Sequence, residues 1–209
     1  MVNITDKRFA ALGPTGSPLG RMLSIIDIPD SDVRFLILDC PTESTLSFYL
    51  DEFVKLNVVS VVRCCQPTYN ANRLTERNIE VLDLPFRDGG VPPPMIVREW
   101  LQLIDNTKRT VNKEDPAYRP PTIAVHCVAG LGRAPVLVAI ALIEAGMKPL
   151  DAIEYIRTKR KGAFNKPQIQ YLDSYKRITK PKSASSHSLR SSLGKMFKLG
   201  SKSTVSQQT

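Results

Sequence analysis

The chain is predicted to form an α/β domain with a central, mostly parallel sheet flanked by helices on both faces. Three observations lead there. Short β-rich runs alternate with stretches of helical periodicity, the apolar share of the 209 residues is 42%, and the composition changes to Ser and Lys after Thr179. That is enough to bury one core of roughly 150 residues with loose ends.

Residues 1–20 carry Gly13, Pro14, Gly16, Pro18 and Gly20 with little periodicity and are expected to be a flexible arm. The ordered domain is expected over residues 21–179. RMLSIIDI and VRFLILD read as two strands joined by the turn-like PDSD, and Pro41 closes the second. Leu46, Tyr49, Phe53 and Leu56 then recur at helical spacing. VVSVVRC and IEVLDL are further strands, the latter stopped by Pro85. Met95, Val97, Trp100, Leu101, Leu103 and Ile104 mark a second helix, and TIAVH, bounded by Pro120 and Pro121, is a buried strand. An apolar helix follows from Arg133 to Ala145, too short to span a bilayer, and two amphipathic helices are expected near residues 149–161 and 167–178.

Charge separates the end of the chain from the rest. Six basic residues and no acid lie beyond Thr179, within a net charge of +9. Residues 180–209 are expected to be a disordered basic Ser/Lys-rich tail, suited to an anionic membrane surface rather than to nucleic acid. Within the tail, SSLGKMFKLGSK reads either as a solvated segment or as a weak interfacial helix that phosphorylation of its serines would release. The N-terminus lacks a signal-peptide core, so a cytoplasmic protein with reduced thiols is expected. Cys40, Cys64, Cys65 and Cys127 contain no CxxC pair, and no metal or other cofactor is expected.

Function hangs on VHCVAGLGRAP, residues 125–135. A buried strand delivers Cys127 to its C-terminal end, and a helix starts about five residues later. Gly130 and Gly132 let the intervening turn, Val128, Ala129, Gly130, Leu131 and Gly132, approach a ligand closely. Successive backbone N–H groups and the helix N-terminus would then bind an anion, and the same field would favour a thiolate. Arg133 supplies a planar fork for two phosphate oxygens. Six positions after Cys40, Cys64 and Cys65 stand Leu46, Asn70 and Ala71, so only Cys127 has the arginine. His126 either tunes the thiolate or fixes the loop. A thiolate displacing phosphate needs a general acid, and LPFRDGGVPPP offers Asp88 on a Gly/Pro-rich loop; Asp83, within the preceding strand, is the competitor.

HCVAGLGRAP, LPFRDGGVPPP, KRKGAFN and VVRCCQPTY closely resemble the phosphatases of regenerating liver, a branch of the protein tyrosine phosphatase superfamily, from about Arg21 to Tyr175. The resemblance implies a single protein tyrosine phosphatase-like domain with Cys127 as nucleophile, Val128 to Arg133 as phosphate-binding loop and Asp88 as general acid. It also implies Cys65 as a redox partner that can form a disulfide with the nucleophile. Family members bind intracellular domains of cyclin M magnesium transporters through the same pocket, and tend to form trimers. Ala134 stands where many relatives have a hydroxyl that assists phosphocysteine hydrolysis, so slow turnover is expected. Leu84 and Arg87 depart from the family's acid loop, and Arg87 makes the rim more positive. The family's C-terminal prenylation motif has no counterpart in VSQQT, so prenyl anchoring is not expected.

Two functions of different kind follow. The first is a cysteine-dependent phosphatase acting on phosphotyrosine, phosphoserine/threonine or an inositol phosphate headgroup through a phosphocysteine. The second is a binding module whose pocket receives an acidic transporter loop, with residual catalysis. A cysteine-based arsenate reductase or sulfurtransferase fits less well, because of the long acid-loop resemblance.

Overall fold

The computed structural model describes residues 22–28 and 31–179. The expected N-terminal arm, the basic tail and its SSLGKMFKLGSK segment lie outside the described residues. Residues 22–28 and 31–178 belong to one compact unit.

Five strands form one sheet: β1 (Ser24–Ile26), β2 (Arg34–Leu38), β3 (Val58–Arg63), β4 (Glu80–Asp83) and β5 (Thr122–His126), in the order β1-β2-β5-β3-β4. Only β1 pairs antiparallel; the other pairs are parallel, with helices as crossovers. The mostly parallel sheet and the alternation of elements agree with the order expected from the sequence. Strands covered on both faces need apolar residues at every position, which is why RFLIL and TIAVH read as continuous runs rather than as alternations.

Side chains nonetheless alternate between two cores. Phe35 and Ile37 of β2 join one cluster, with Trp100, Leu137 and Ile156, while Leu36 and Leu38 join the other, with Leu46, Tyr49 and Phe53. The second core lies under α1 (Leu46–Lys55). The first lies under α3 (Pro94–Arg109), α4 (Arg133–Glu144), α5 (Pro149–Lys159) and α6 (Lys166–Asp173). All twelve residues of α4 are buried, which accounts for the unbroken apolar run from Ala134 to Ile143 between the terminal Arg133 and Glu144. Trp100, fully buried, donates its indole N–H to the Leu137 carbonyl at 2.7 Å, so the largest core side chain leaves no polar atom unpaired.

Two elements depart from the sequence expectation. A short helix, α2 (Asn72–Thr75), stands where none was expected. The last amphipathic helix ends at Asp173 rather than near residue 178. There Ser174 Oγ bonds back to the carbonyls of Gln170 and Tyr171, and Glu144 draws the chain aside. Its carboxylate accepts from Tyr175 Oη at 2.8 Å and Ile178 N at 2.7 Å, while Arg177 donates to its carbonyl. These contacts come from α4 and are invisible to local periodicity.

Candidate active site

Three neighbouring parallel strands, β2, β5 and β3, end at the same edge of the sheet, with Leu38 opposite His126 and His126 opposite Arg63. The C-terminal edge of such a sheet is where open α/β folds bind ligands. Here each strand hands the chain on to a cysteine: Cys40 after β2, Cys127 after β5, and Cys64 and Cys65 after β3. Backbone bonds seal the edge, from Cys64 N to His126 O at 2.8 Å and from Cys40 N to Val128 O at 3.0 Å.

The turn from Cys127 to Arg133 is shaped by its glycines and by a buried arginine. Gly130 has φ +65°, and a Cβ there would run into the Leu38 carbonyl. Arg160, 8% exposed, donates from Nε to Gly130 O at 3.1 Å, from Nη2 to Ala129 O at 3.0 Å and from Nη1 to Met22 O at 2.6 Å. Phe164 N adds a bond to Leu131 O at 2.8 Å. Three consecutive loop carbonyls are thus committed to the segment carrying KRKGAFN. A turn whose carbonyls are tied outward, ahead of the N-terminus of α4, is a site for an anion. Burial draws the Arg160 guanidinium below its ordinary value, with the Asp39 carboxylate pulling the other way.

Arg133, 6% exposed, is anchored by Nη1, which donates to the carbonyls of Cys64 and Phe86, both at 3.2 Å. Its Nη2 lies 3.1 Å from Asp88 Oδ1. Its Nε is buried without a hydrogen-bond partner, a donor fitted to an incoming oxyanion. Asp88 itself is 80% exposed at the side chain, on the turn after β4. Asp83, the competitor, is engaged elsewhere: its carboxylate is gripped by both Nε and Nη2 of Arg63, the latter at 2.7 Å. Arg63 also donates to Tyr69 O at 2.9 Å and sits over the Tyr69 ring.

The loop carrying Asp88 is held from below by the start of α6. Asn165 and Gln168 form a capping box, each side chain accepting from the other's backbone N–H. Their remaining amide donors reach the Asp88 loop: Asn165 Nδ2 to Gly89 O at 2.9 Å and Gln168 Nε2 to Gly90 O at 3.0 Å. Gln168 is fully buried and also packs against Gly132, where a Cβ would lie 3.2 Å from its Nε2. One helix terminus therefore spaces the Asp88 loop against the Cys127–Arg133 turn.

The other cysteines divide by face. Cys64 packs in the core of Trp100, and burial, with Cys127 nearby, pushes its thiol well above its ordinary value. Cys65, 5% exposed, has its Sγ 3.7 Å from Cys40 Sγ and 4.0 Å from His126 Nδ1. The bond from Cys65, opposed by partial burial and aided by His126 and Thr68, lowers the Cys40 thiol to about 4, while Cys65 is raised by the same contact. His126 Nε2 lies 2.8 Å from Tyr69 Oη, so the imidazole is fixed from behind.

The structure therefore brings Cys127, the turn to Arg133 and Asp88 to one edge, and sets Cys65 beside Cys40 on the same edge. Arg160, Asn165, Gln168 and Tyr69 were not singled out from the sequence. Only the intact KRKGAFN string pointed toward the first two. No helix among the described residues is long and apolar enough to cross a membrane.

Comparisons with known proteins agree with this geometry. The protein-tyrosine phosphatase family model matches residues 56–180. The chain is 50% identical over 149 residues to the probable protein tyrosine phosphatase type IVA A of Dictyostelium discoideum, covering 71% of this chain and 86% of that one. It is 48% identical over 151 residues to protein tyrosine phosphatase type IVA 2 of Mus musculus, covering 72% and 86%. A solved protein tyrosine phosphatase (putative) from Leishmania major is 46% identical, covers 74% of this chain and 99% of that one, and superposes with a TM-score of 0.66. By its family model and these relatives, the chain belongs to the protein-tyrosine phosphatase family of cysteine-dependent phosphatases, in the type IVA (PRL) branch.

Proposed function

We propose that this phosphatase hydrolyses phosphate monoesters of proteins through a phosphocysteine on Cys127. The observation that carries the reading is the Arg133 side chain, anchored by Cys64 and Phe86, paired with Asp88 and left with a buried free Nε. The substrate's phosphoryl oxygens take the backbone N–H groups of Val128 to Gly132 and the Arg133 fork, which stabilise the equatorial charge of the transition state. The Cys127 thiolate attacks phosphorus, the ester P–O bond breaks, and Asp88 gives its proton to the leaving oxygen. Water then attacks phosphorus, its proton passes to the Asp88 carboxylate, the P–S bond breaks, and inorganic phosphate and the thiolate are released.

Ala134 is fully buried beside Arg133 and offers no hydroxyl to the departing thiolate, which supports slow hydrolysis of the intermediate. The same feature favours a second role, capture of an acidic loop of a magnesium-transporter intracellular domain by the anion-binding turn. Cys65, delivered beside β5 by the adjacent strand, serves as redox partner of Cys127. We further assign the catalytic domain to residues 21–179 and the tail to reversible contact with anionic membrane from the cytoplasm; phosphoinositides are an alternative substrate, and self-association a further property.

A single-turnover and steady-state reaction of the reduced protein with an activated aryl phosphate tests the reading. The expected result is a burst of phenol followed by slow turnover, both absent in Cys127→Ser. Activity surviving the substitution would overturn it, and linear product formation without a burst would overturn the slow hydrolysis of the intermediate.

A further inference from the structure

Behind the phosphate-binding turn, three side chains that the phosphatase chemistry does not require meet at one point. Cys40 Sγ, Cys65 Sγ and His126 Nδ1 all lie within 4.8 Å of one another. They come from the ends of three adjacent strands, β2, β3 and β5, and no two of them have a spacing that a sequence motif would reveal. The two sulfurs are 3.7 Å apart, the separation that two thiolates keep around a tetrahedral ion with Zn–S bonds of about 2.3 Å. Cys65 Sγ and His126 Nδ1 are 4.0 Å apart, about half an ångström beyond the sulfur–nitrogen edge of the same figure, so a small side-chain shift closes it.

The imidazole has the outer support that metal-bound histidines use. In the tautomer that donates from Nε2 to Tyr69 Oη, at 2.8 Å, the lone pair stands on Nδ1, on the side of Cys65. Cys65 and His126 are buried, whereas Cys40 is partly exposed and bonds at the surface to Thr68 Oγ1 at 3.0 Å. An ion can therefore enter from the Cys40 side, with a small rotation of that side chain off Thr68, and keep one position for water.

We propose that Cys40, Cys65 and His126 form a binding site for Zn²⁺, with two thiolates and one imidazole from the protein and an open fourth position. Binding sends the proton held between the two sulfurs to solvent, and Cys40 exchanges its contacts with Thr68 Oγ1 and Cys65 Sγ for the ion. The ion cross-ties the strand ends on which the phosphate-binding turn stands, since Cys40 N also bonds to Val128 O and His126 precedes Cys127. It also occupies Cys65, so a loaded site withholds that thiol from exchange with other cysteines.

The test is titration of the reduced full-length chain with Zn²⁺ against a chromophoric chelator, repeated with Cys127→Ser so that the nucleophile cannot ligate. One ion per chain is expected in both. Cys40→Ser and Cys65→Ser should each weaken binding by about 100-fold or more, and Tyr69→Phe, which keeps all three ligands, by about 10-fold. Co²⁺ in place of Zn²⁺ should give sulfur-to-metal charge-transfer bands that Cys40→Ser removes while melting as a folded protein. Binding that persists in Cys40→Ser, binding lost in Cys127→Ser, or a reduced chain without zinc affinity that merely forms a Cys40–Cys65 disulfide under peroxide would each overturn the proposal. The phosphatase reading fails separately, through phosphatase activity that survives Cys127→Ser.

Discussion

Asn165 and Gly89, 76 residues apart, are joined by one hydrogen bond of 2.9 Å from the amide Nδ2 to the carbonyl. Through it the N-terminus of α6 holds the loop of Asp88. Because Asn165 also caps that helix through its other atom, Oδ1, its two duties can be parted by substitution.

Asn165→Asp keeps the cap acceptor and loses the donor to Gly89. Its stability should stay within a few tenths of a kcal/mol of the parent. Its kcat/KM on alkyl phosphates, which need the acid most, should fall about tenfold, with a smaller loss on aryl phosphates that leave unaided. Asn165→Ala should show the same kinetic loss and cost a further ~1 kcal/mol of stability in chemical denaturation. Equal kinetics for the parent and Asn165→Asp would show that the loop does not depend on this bond.

The two aspartates should separate cleanly. Asp88→Ala is expected to remove the basic limb of the kcat/KM–pH profile, where a general acid loses its proton, and to lower kcat about 100-fold. Asp83→Asn leaves the buried Arg63 guanidinium with a neutral partner and should cost about 1–3 kcal/mol in stability without moving the profile. A changed profile for Asp83→Asn would transfer the acid role to it.

Arg160→Lys retains the charge but replaces a three-point fork by a single flexible ammonium. Loosening the carbonyls of Ala129 and Gly130 should weaken inhibition by vanadate about tenfold, read as a rise in its inhibition constant, and lower the melting temperature. Unchanged inhibition would mean that the turn holds its shape without Arg160.

Gly130→Ala places a Cβ against the Leu38 carbonyl and 2.6 Å from Arg160 Nη2, at a positive φ that L residues rarely adopt. Strain of this kind costs of order 1–3 kcal/mol, and the collision adds to it. The variant should bind vanadate at least tenfold more weakly even where it remains folded by circular dichroism.

Tyr49 and Tyr175 should shape the alkaline stability. Burial raises both, helped by the bonds that Tyr49 makes to Asp39 and Tyr175 to Glu144, so both stay neutral in the fold above their ordinary range of about 10. A raised folded value means that the stabilisation is whole below the unfolded pKa and is lost as pH rises beyond it. Thermal melts should therefore decline above about pH 10, with the tyrosinate absorbance of these two residues appearing only on unfolding. Their ionisation in the folded chain, seen as the full tyrosinate signal before the melt, would contradict this.

Local chemistry determined much of the protein from the sequence alone. Five apolar runs between helical periods specified the order of elements, and the three central strands among them read most plainly because strands buried on both faces are largely apolar. Cys127, two glycines and Arg133 marked the turn on which the proposed chemistry rests, because that turn is built from consecutive residues. Tertiary structure decided what no window of neighbouring residues contains. The crossovers set β2, β5 and β3 side by side, and so gathered Cys40, Cys65 and His126 within 4.8 Å from three distant stretches. Arg160 and Asn165 look like ordinary polar residues until the packing of α5 and α6 brings them under the turn and the acid loop. Glu144 likewise ended α6 early, through bonds from a helix some thirty positions away in sequence. Hydrogen bonds and ligand clusters of this kind are pairings across the fold, and their partners are chosen by the parallel topology rather than by spacing along the chain.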